Sequence, residues 1–271
     1  MKISSYLLIF SLCFGLWALL VFPAEVFPQT KDFSEELSEH FIIKYQQGVD
    51  KSDVGRIKNL AEKYYRTITQ EFHLIRDELW VWDNRARIFI AKDKKNYLDN
   101  FNCFAWSDAC VDYMNKVIYT FPNQDHFSSI LVHELTHIIF REYVGRNILP
   151  LWLDEGMETY IEDKYGGGHY SKRIRSFEDT LKNNQHIQFS RLLSLKVQEL
   201  DNESKDTVNL YYLEVFSVVN FLITKYGRHN FSRFLSYLQK GYDFKEAMGR
   251  VYLDFRDFEN FELKWKNYYL N

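Results

Sequence analysis

His133-Glu134-Leu135-Thr136-His137 and, eighteen positions later, Glu155 within Trp152-Leu153-Asp154-Glu155-Gly156 decide how this chain is read. Two imidazoles four positions apart on a helix share one face, with roughly 5–6 Å between their Cβ atoms, so both can reach a single metal ion. The Glu between them falls beside that ion, where it can take a proton from water. A third ligand from a following helix completes a three-residue zinc set with one open position. The flanking Ile130, Leu131, Leu135, Ile138, Ile139 and Phe140 predict a buried helix. Two histidines and a glutamate are expensive in such a helix unless they are paired or metal-bound. Asp125 is expected to cap the helix start and Gly145 to stop it, which sets the pentapeptide mid-helix.

Composition bounds the rest. The 271 residues are 46% hydrophobic and 18% aromatic, enough for one large core or two closely packed parts. A formal charge of −3 argues against a nucleic-acid or polyanion partner. With 4 Pro, 11 Gly and no low-complexity tract, long unstructured linkers are not expected. Ile3 to Ala24 carry no charge and are rich in Leu, Phe, Ile, Val and Trp. Residues 1–28 therefore read as a signal peptide or an N-terminal membrane anchor, and either sends the remainder outside the cytoplasm, secreted or membrane-anchored. Phe22 occupies a position where cleavage wants a small side chain, and the run is long enough to span, so the reading leans to an anchor. In an exported chain, Cys103 and Cys110 are expected to form a local disulfide.

Strand patterns fall at His40 to Tyr45, Ala86 to Ala91 and Val117 to Phe121. A helical stripe runs from Val54 to Ile75, with a short helix or turn over Lys95 to Phe101. Further helices are predicted at Leu151 to Tyr165, closed by Gly166-Gly167-Gly168, and at Thr207 to Tyr226, closed by Gly227. Phe231 to Gln239, Phe244 to Val251 and Asp257 to Leu270 complete a helical C-terminal part. Strands precede the motif and helices follow it, which gives an α+β fold: a small mixed sheet with helices over residues 32–145, then a mainly helical part over 146–271.

These residues resemble the gluzincin metallopeptidases and, within them, the bacterial peptidase MA-like proteins. The match is strongest over His133 to His137 and Leu149-Pro-Leu-Trp-Leu-Asp-Glu-Gly-Met-Glu-Thr-Tyr160, similar to the family pattern P-x-W-L-x-E-G-x-A-x-Y. Tyr211 to Ser217 and Val219 to Gly227 are similar to a later family helix, and Gly241 to Trp265 to its closing segment. The resemblance implies a zincin-like peptidase domain over 32–271. It implies Zn²⁺ held by His133, His137 and Glu155, with Glu134 as general base, and hydrolysis of a peptide or protein substrate. Glu158 stands where the family usually has Ala, bringing an extra carboxylate. The rivals for third ligand are Asp154, expected to face away, and Glu158, which can instead orient a ligand histidine. For the donor to the oxyanion the register of the resemblance favours Tyr212 over Tyr211; His169, His186 and His229 are further candidates. If Val117 to Phe121 is an edge strand over the zinc, an extended peptide can add to it. The alternative function is a catalytically silent, membrane-tethered relative that only binds a peptide or partner.

Overall fold

The computed structural model describes residues 33–74, 79–101, 103, 107–122, 127–145, 149–167, 169–200 and 202–271. The N-terminal segment read as a signal or anchor, Asp125 and Gly168 lie outside the described residues. Five strands, β1 (Phe33–Leu37), β2 (Phe41–Gln46), β3 (Ala86–Ile90), β4 (Ala109–Asp112) and β5 (Val117–Thr120), form one sheet in the order β1-β2-β3-β5-β4. β2, β3 and β5 run parallel, and an antiparallel strand closes each end. The mixed sheet is followed by a helical C-terminal part, so the α+β class holds.

Periodicity found the central strands because they are apolar, and it missed both edges. β1 reads Phe-Ser-Glu-Glu-Leu and is mostly exposed, as an edge protected by charge should be. β4 is only four residues long and contains Cys110. Its pairing with β5 corrects the expectation that Val117 to Phe121 is the edge: β5 lies between β3 and β4, and β4 carries the open edge. A disulfide joins Cys103 to Cys110, tying that edge to the chain just after α2 (Lys94–Asn100).

One face of the sheet packs on α1 (Lys51–Glu71) and α3 (Phe127–Val144) around Phe41, Ile43, Ile88, Ile118, Leu131 and Leu135. A smaller aromatic cluster, with Phe89, Tyr97, Phe101 and Phe121, covers the opposite face beneath α2. α1 starts at Asp50, whose carboxylate accepts the Ser52 N–H, and ends before the region that the stripe to Ile75 had included.

The helical part consists of α4 (Leu151–Ile161), α5 (Tyr170–Lys182), α6 (Phe189–Ser194), α7 (Val197–Leu200), α8 (Lys205–Tyr226), α9 (Arg228–Gln239), α10 (Phe244–Val251) and α11 (Phe258–Leu270). α5 was not among the predicted helices although Tyr170, Ile174, Phe177 and Leu181 recur along it at helical spacing, while α6 and α7 are very short. α8 is long and apolar enough to cross a membrane, but two-thirds of that apolar window is buried in the fold, as befits a core helix. α4 lies against α3 on one side and α8 on the other. Gly156 makes the second contact: a Cβ there would stand 2.6 Å from the Val215 carbonyl oxygen and 2.8 Å from Val219 Cγ2. Only glycine lets the two backbones come so close, and the residue so fixed is the neighbour of Glu155.

Candidate functional site

α3 is buried along most of its length, with His133, Glu134 and His137 each less than a tenth exposed. α4 crosses beside it and presents Glu155. The side chains of His133, His137 and Glu155 offer ligand atoms that all lie within 4.8 Å of one another. This is the spacing a single small cation needs, and the donors come from the two adjacent helices the sequence pointed to. Glu134 lies on the same buried surface.

Each histidine is oriented through its Nδ1. The His133 Nδ1 is 3.1 Å from Glu162 Oε2, and the Ser129 hydroxyl donates to the other Glu162 oxygen at 2.6 Å. Glu162 opens the π-helical turn that continues α4 to Gly167; the widened turn brings its carboxylate back over α3. Gly166 permits this return, since a Cβ there would lie 2.9 Å from Ser129 Cα. The His137 Nδ1 has Asp154 Oδ1 at 3.4 Å as its hydrogen-bond acceptor. Glu158 Oε1 is nearer, at 2.6 Å, but neither Glu158 oxygen has an aligned hydrogen-bond partner among the described residues. Both Nδ1 atoms thus face carboxylates, which leaves both Nε2 atoms for a metal.

Asp154 does not face away, contrary to the sequence expectation. It is buried, pairs with the Arg141 guanidinium and reaches His137 from the start of α4. The reason is that α4 lies between α3 and α8 and is buried on every side from Trp152 to Ile161, so it has no outward face for Asp154 to take. Glu158 lies fully buried beside His137. It belongs to a second ligand-capable group with His137 and Asp154, but there Arg141 already serves as the cation.

The electrostatics follow from five carboxylates in one buried volume. Burial pushes Glu134 and Glu155 up to about 7 each, opposed by the His133 charge, and lifts Glu158 well above the usual carboxylate range. Burial also disfavours a charged His133, yet its hydrogen bond to Glu162 and the charges of Glu162, Glu134 and Glu155 raise it to about 9. His137, lacking such an excess, is held down to about 3 by burial. Since His137 is then neutral, Arg141 is the cation that holds Asp154 ionised against its own burial. The cluster is short of positive charge, and a dication among these donors would relieve it. The donor set therefore fits a metal: borderline imidazole nitrogens and a carboxylate oxygen suit zinc.

Two tyrosines border the cluster. Tyr212 on α8 lies beside Glu155: burial first, and then the Glu155 charge, push its hydroxyl well above the ordinary tyrosine range. Tyr211 is fully buried, and its hydroxyl has no hydrogen-bond partner among the described residues. The second tyrosine, Tyr113, comes from the turn after β4: its ring meets the His137 ring edge-on at 5.4 Å, and Arg141 sits 4.1 Å over it. His169 and His229 are exposed, and the charges nearest the half-buried His186 are Lys266 and Glu262 on α11.

Glu162, Arg141 and Tyr113 were not singled out as parts of the site by sequence reasoning, and Asp154 was weighed only as a rival third ligand and set aside. Three of them had a readable signal. Arg141 extends the stripe His133, His137, Arg141 at four-residue steps, and Glu162 extends Glu155, Glu158, Glu162 at helical spacing. Asp154 begins the same inward face of α4. Tyr113 had none, because only the pairing of β4 with β5 carries it to α3.

A mixed sheet packed on a helix that carries two buried histidines, with a glutamate added from the next helix, defines a metallopeptidase-like α+β scaffold. The family model of the peptidase MA superfamily matches residues 108–271, more than half of the chain, and the chain belongs to that superfamily. The matched segment includes β4, α3, α4 and all the helices that follow. No curated protein matches the chain.

Proposed function

We propose that this chain is a zinc-dependent metallopeptidase that hydrolyses peptide bonds outside the cytoplasm. The observation that carries the reading is the buried trio His133, His137 and Glu155, within 4.8 Å of one another beside Glu134 and in a cluster deficient in positive charge. Superfamily membership supports peptidase chemistry in general, and the finer assignment rests on these residues. His133, His137 and Glu155 hold the metal. Zinc bound there supplies an electrophile that polarises a scissile carbonyl and makes water more acidic near neutral pH.

The chain's own groups do the rest. Glu134, with a proton affinity balanced near neutrality, takes a proton from the attacking water and passes it to the amide nitrogen as the C–N bond breaks. Glu162 and Asp154 hold the two imidazoles by their Nδ1 atoms, which fixes the tautomer that leaves each Nε2 as a donor. Tyr212 stands beside the Glu155 carboxylate, whose charge it feels. The edge of β4, unpaired among the described residues, offers main-chain groups to an extended peptide, which supports a polypeptide as substrate. Residues 32–271 form the peptidase domain, and residues 1–28 export it, either as a signal peptide or as a membrane anchor.

Exchanging the general base tests the reading. Glu134→Gln keeps the ligand set, so the protein should retain zinc while losing cleavage of unfolded casein by at least about 10²-fold. Equal cleavage by both proteins would sink the catalytic assignment and favour a silent peptide-binding relative.

A further inference from the structure

We infer that two ion pairs, Asp163 with Arg173 and Lys164 with Glu71, are positioning residues for His133: they fix the π-helical turn over Glu162–Gly167, and through Glu162 that turn sets the imidazole. This role presupposes the reading above, in which His133 holds a metal, and gives a task to charged residues outside the donor set.

A π-helical turn has wider hydrogen-bonded rings than an α-helix and is rare, so it needs to be held from outside. Here four consecutive residues of the turn are each tied to a neighbouring helix. The Glu162 carboxylate accepts the Ser129 hydroxyl at 2.6 Å and faces the His133 Nδ1 at 3.1 Å, both on α3. Asp163 takes the Arg173 guanidinium of α5 on both of its oxygens, with Nη2 at 3.1 Å from Oδ1. Lys164 donates to Glu71 on α1 at 3.2 Å and to the Tyr160 hydroxyl on α4 at 2.9 Å. The Tyr165 carbonyl accepts from the Tyr64 hydroxyl on α1 at 3.4 Å.

The charges are placed for the turn and not for their own helices. Glu71 is the last residue of α1, and Arg228, 2.5 Å from the same Glu71 oxygen, is the first of α9. A carboxylate at a C-terminus and a guanidinium at an N-terminus both oppose the helix dipole. They are balanced instead by each other and by Lys164. Exposed ion pairs contribute little, whereas breaking a buried one leaves an uncompensated charge. Asp163 and Arg173 are 2% and 14% exposed, and Glu71 and Lys164 are 15% and 26%, so both pairs lie nearer the second case. The two ligand histidines are thus oriented by different means. Asp154, which faces His137, is carried by α4 itself, while Glu162 begins the turn after α4 has ended. Metal–ligand distances tolerate only about 0.2 Å, so a loosened turn should weaken the metal without any donor being changed.

Zinc affinity of the full chain, read by competition with a chelator, tests this. Asp163→Asn and Lys164→Met should each weaken zinc by roughly 2–30-fold, and Glu162→Ala by roughly 10–100-fold. On the Glu162→Ala background the two exchanges should cost no further affinity, because the group through which they act is gone. In zinc-loaded protein carrying isotope-labelled histidine, the His133 Nδ1 proton should exchange with water faster in each single variant, while that of His137 keeps its wild-type rate. The melting temperature checks that each variant folds, and the two pairs tie the turn to different helices, so either variant decides without the other. Wild-type affinity in the folded variants overturns the proposal. So does an equal loss with and without Glu162, which is what plain destabilisation would give. Failure of the underlying reading looks different: the wild type would bind no zinc, or His133→Ala would bind it as tightly as the wild type, and the positioning role would fall with the ligand.

Discussion

Replacing Gly156 by alanine tests how tightly the fold holds the candidate ligand set. The added methyl would stand 2.6 Å from the Val215 carbonyl oxygen and 2.8 Å from Val219 Cγ2. The side chain of Val219 can turn away, but the Val215 carbonyl belongs to the hydrogen-bonded backbone of α8, so α4 must retreat by roughly 0.5–1 Å. Such overpacking typically costs about 1–3 kcal/mol. Opposing it, alanine gains up to about 1 kcal/mol over glycine within a helix. The contact is with backbone, so the steric term should win and leave a net loss of about 1–2 kcal/mol. For a domain of this size that lowers the melting temperature by roughly 2–8 °C. Glu155, the adjacent residue, moves with α4, so zinc affinity should fall as well. Gly249 in α10 is the control, since a Cβ there meets nothing within 4 Å. Gly249→Ala should stabilise by up to about 1 kcal/mol. Calorimetric melting of both variants, with chelator competition for zinc, reads all of these effects. A Gly156→Ala protein as stable as Gly249→Ala would refute the close packing of α4 on α8 and the way it positions Glu155.

Two further predictions concern buried carboxylates. Glu162→Gln removes the charge that lifts His133 to about 9. At pH 8, where Glu134 and Glu155 are largely ionised, proton release on zinc binding should therefore be smaller than in the wild type. Calorimetry in two buffers of different ionisation enthalpy measures it, and unchanged release would show that Glu162 does not control His133. Glu214 on α8 is fully buried, accepts the Ile187 N–H at 2.7 Å, and is pushed from the usual 4.5 to about 8, chiefly by burial. The folded chain thus keeps a proton that the unfolded chain has lost between those values. Its contribution is complete below about pH 4.5 and declines as the pH rises to about 8. Glu214→Gln, which keeps an acceptor for Ile187, should match the wild type near pH 4.5 and exceed it in stability at pH 8, by a few kcal/mol at most. Urea melts at the two pH values decide; a gap that stays constant would contradict the buried neutral acid.

Much of this molecule was readable from its residues, for physical reasons that also explain what was not. His133 and His137 could be placed because a helix puts four-residue neighbours on one face, whatever surrounds it. The Trp152 to Gly156 segment could be read through its resemblance to a family pattern, and the structure gives the glycine in it a reason, a close contact between helix backbones. Central strands announced themselves by burial, while β1 and β4 did not, since an edge strand is short or charged where a core strand is apolar. Asp154 shows the limit of local geometry. Adjacency to Glu155 on a helix suggested an outward direction, but α4 is buried on every side, and Asp154 meets Arg141 and His137. Tyr113 shows the limit of sequence distance. It is one of 19 tyrosines, twenty positions before His133, and only the β4–β5 pairing brings it to the site.

The most direct measurement is the zinc content of the purified full chain alongside two single exchanges on α4. Wild type should carry about one zinc ion per chain after purification without chelator. Glu155→Ala should lose it, and Glu158→Ala should keep most of it. A wild type with well under one zinc per chain would contradict the metal centre. Zinc lost from Glu158→Ala but retained by Glu155→Ala would move the third ligand to the carboxylate beside His137.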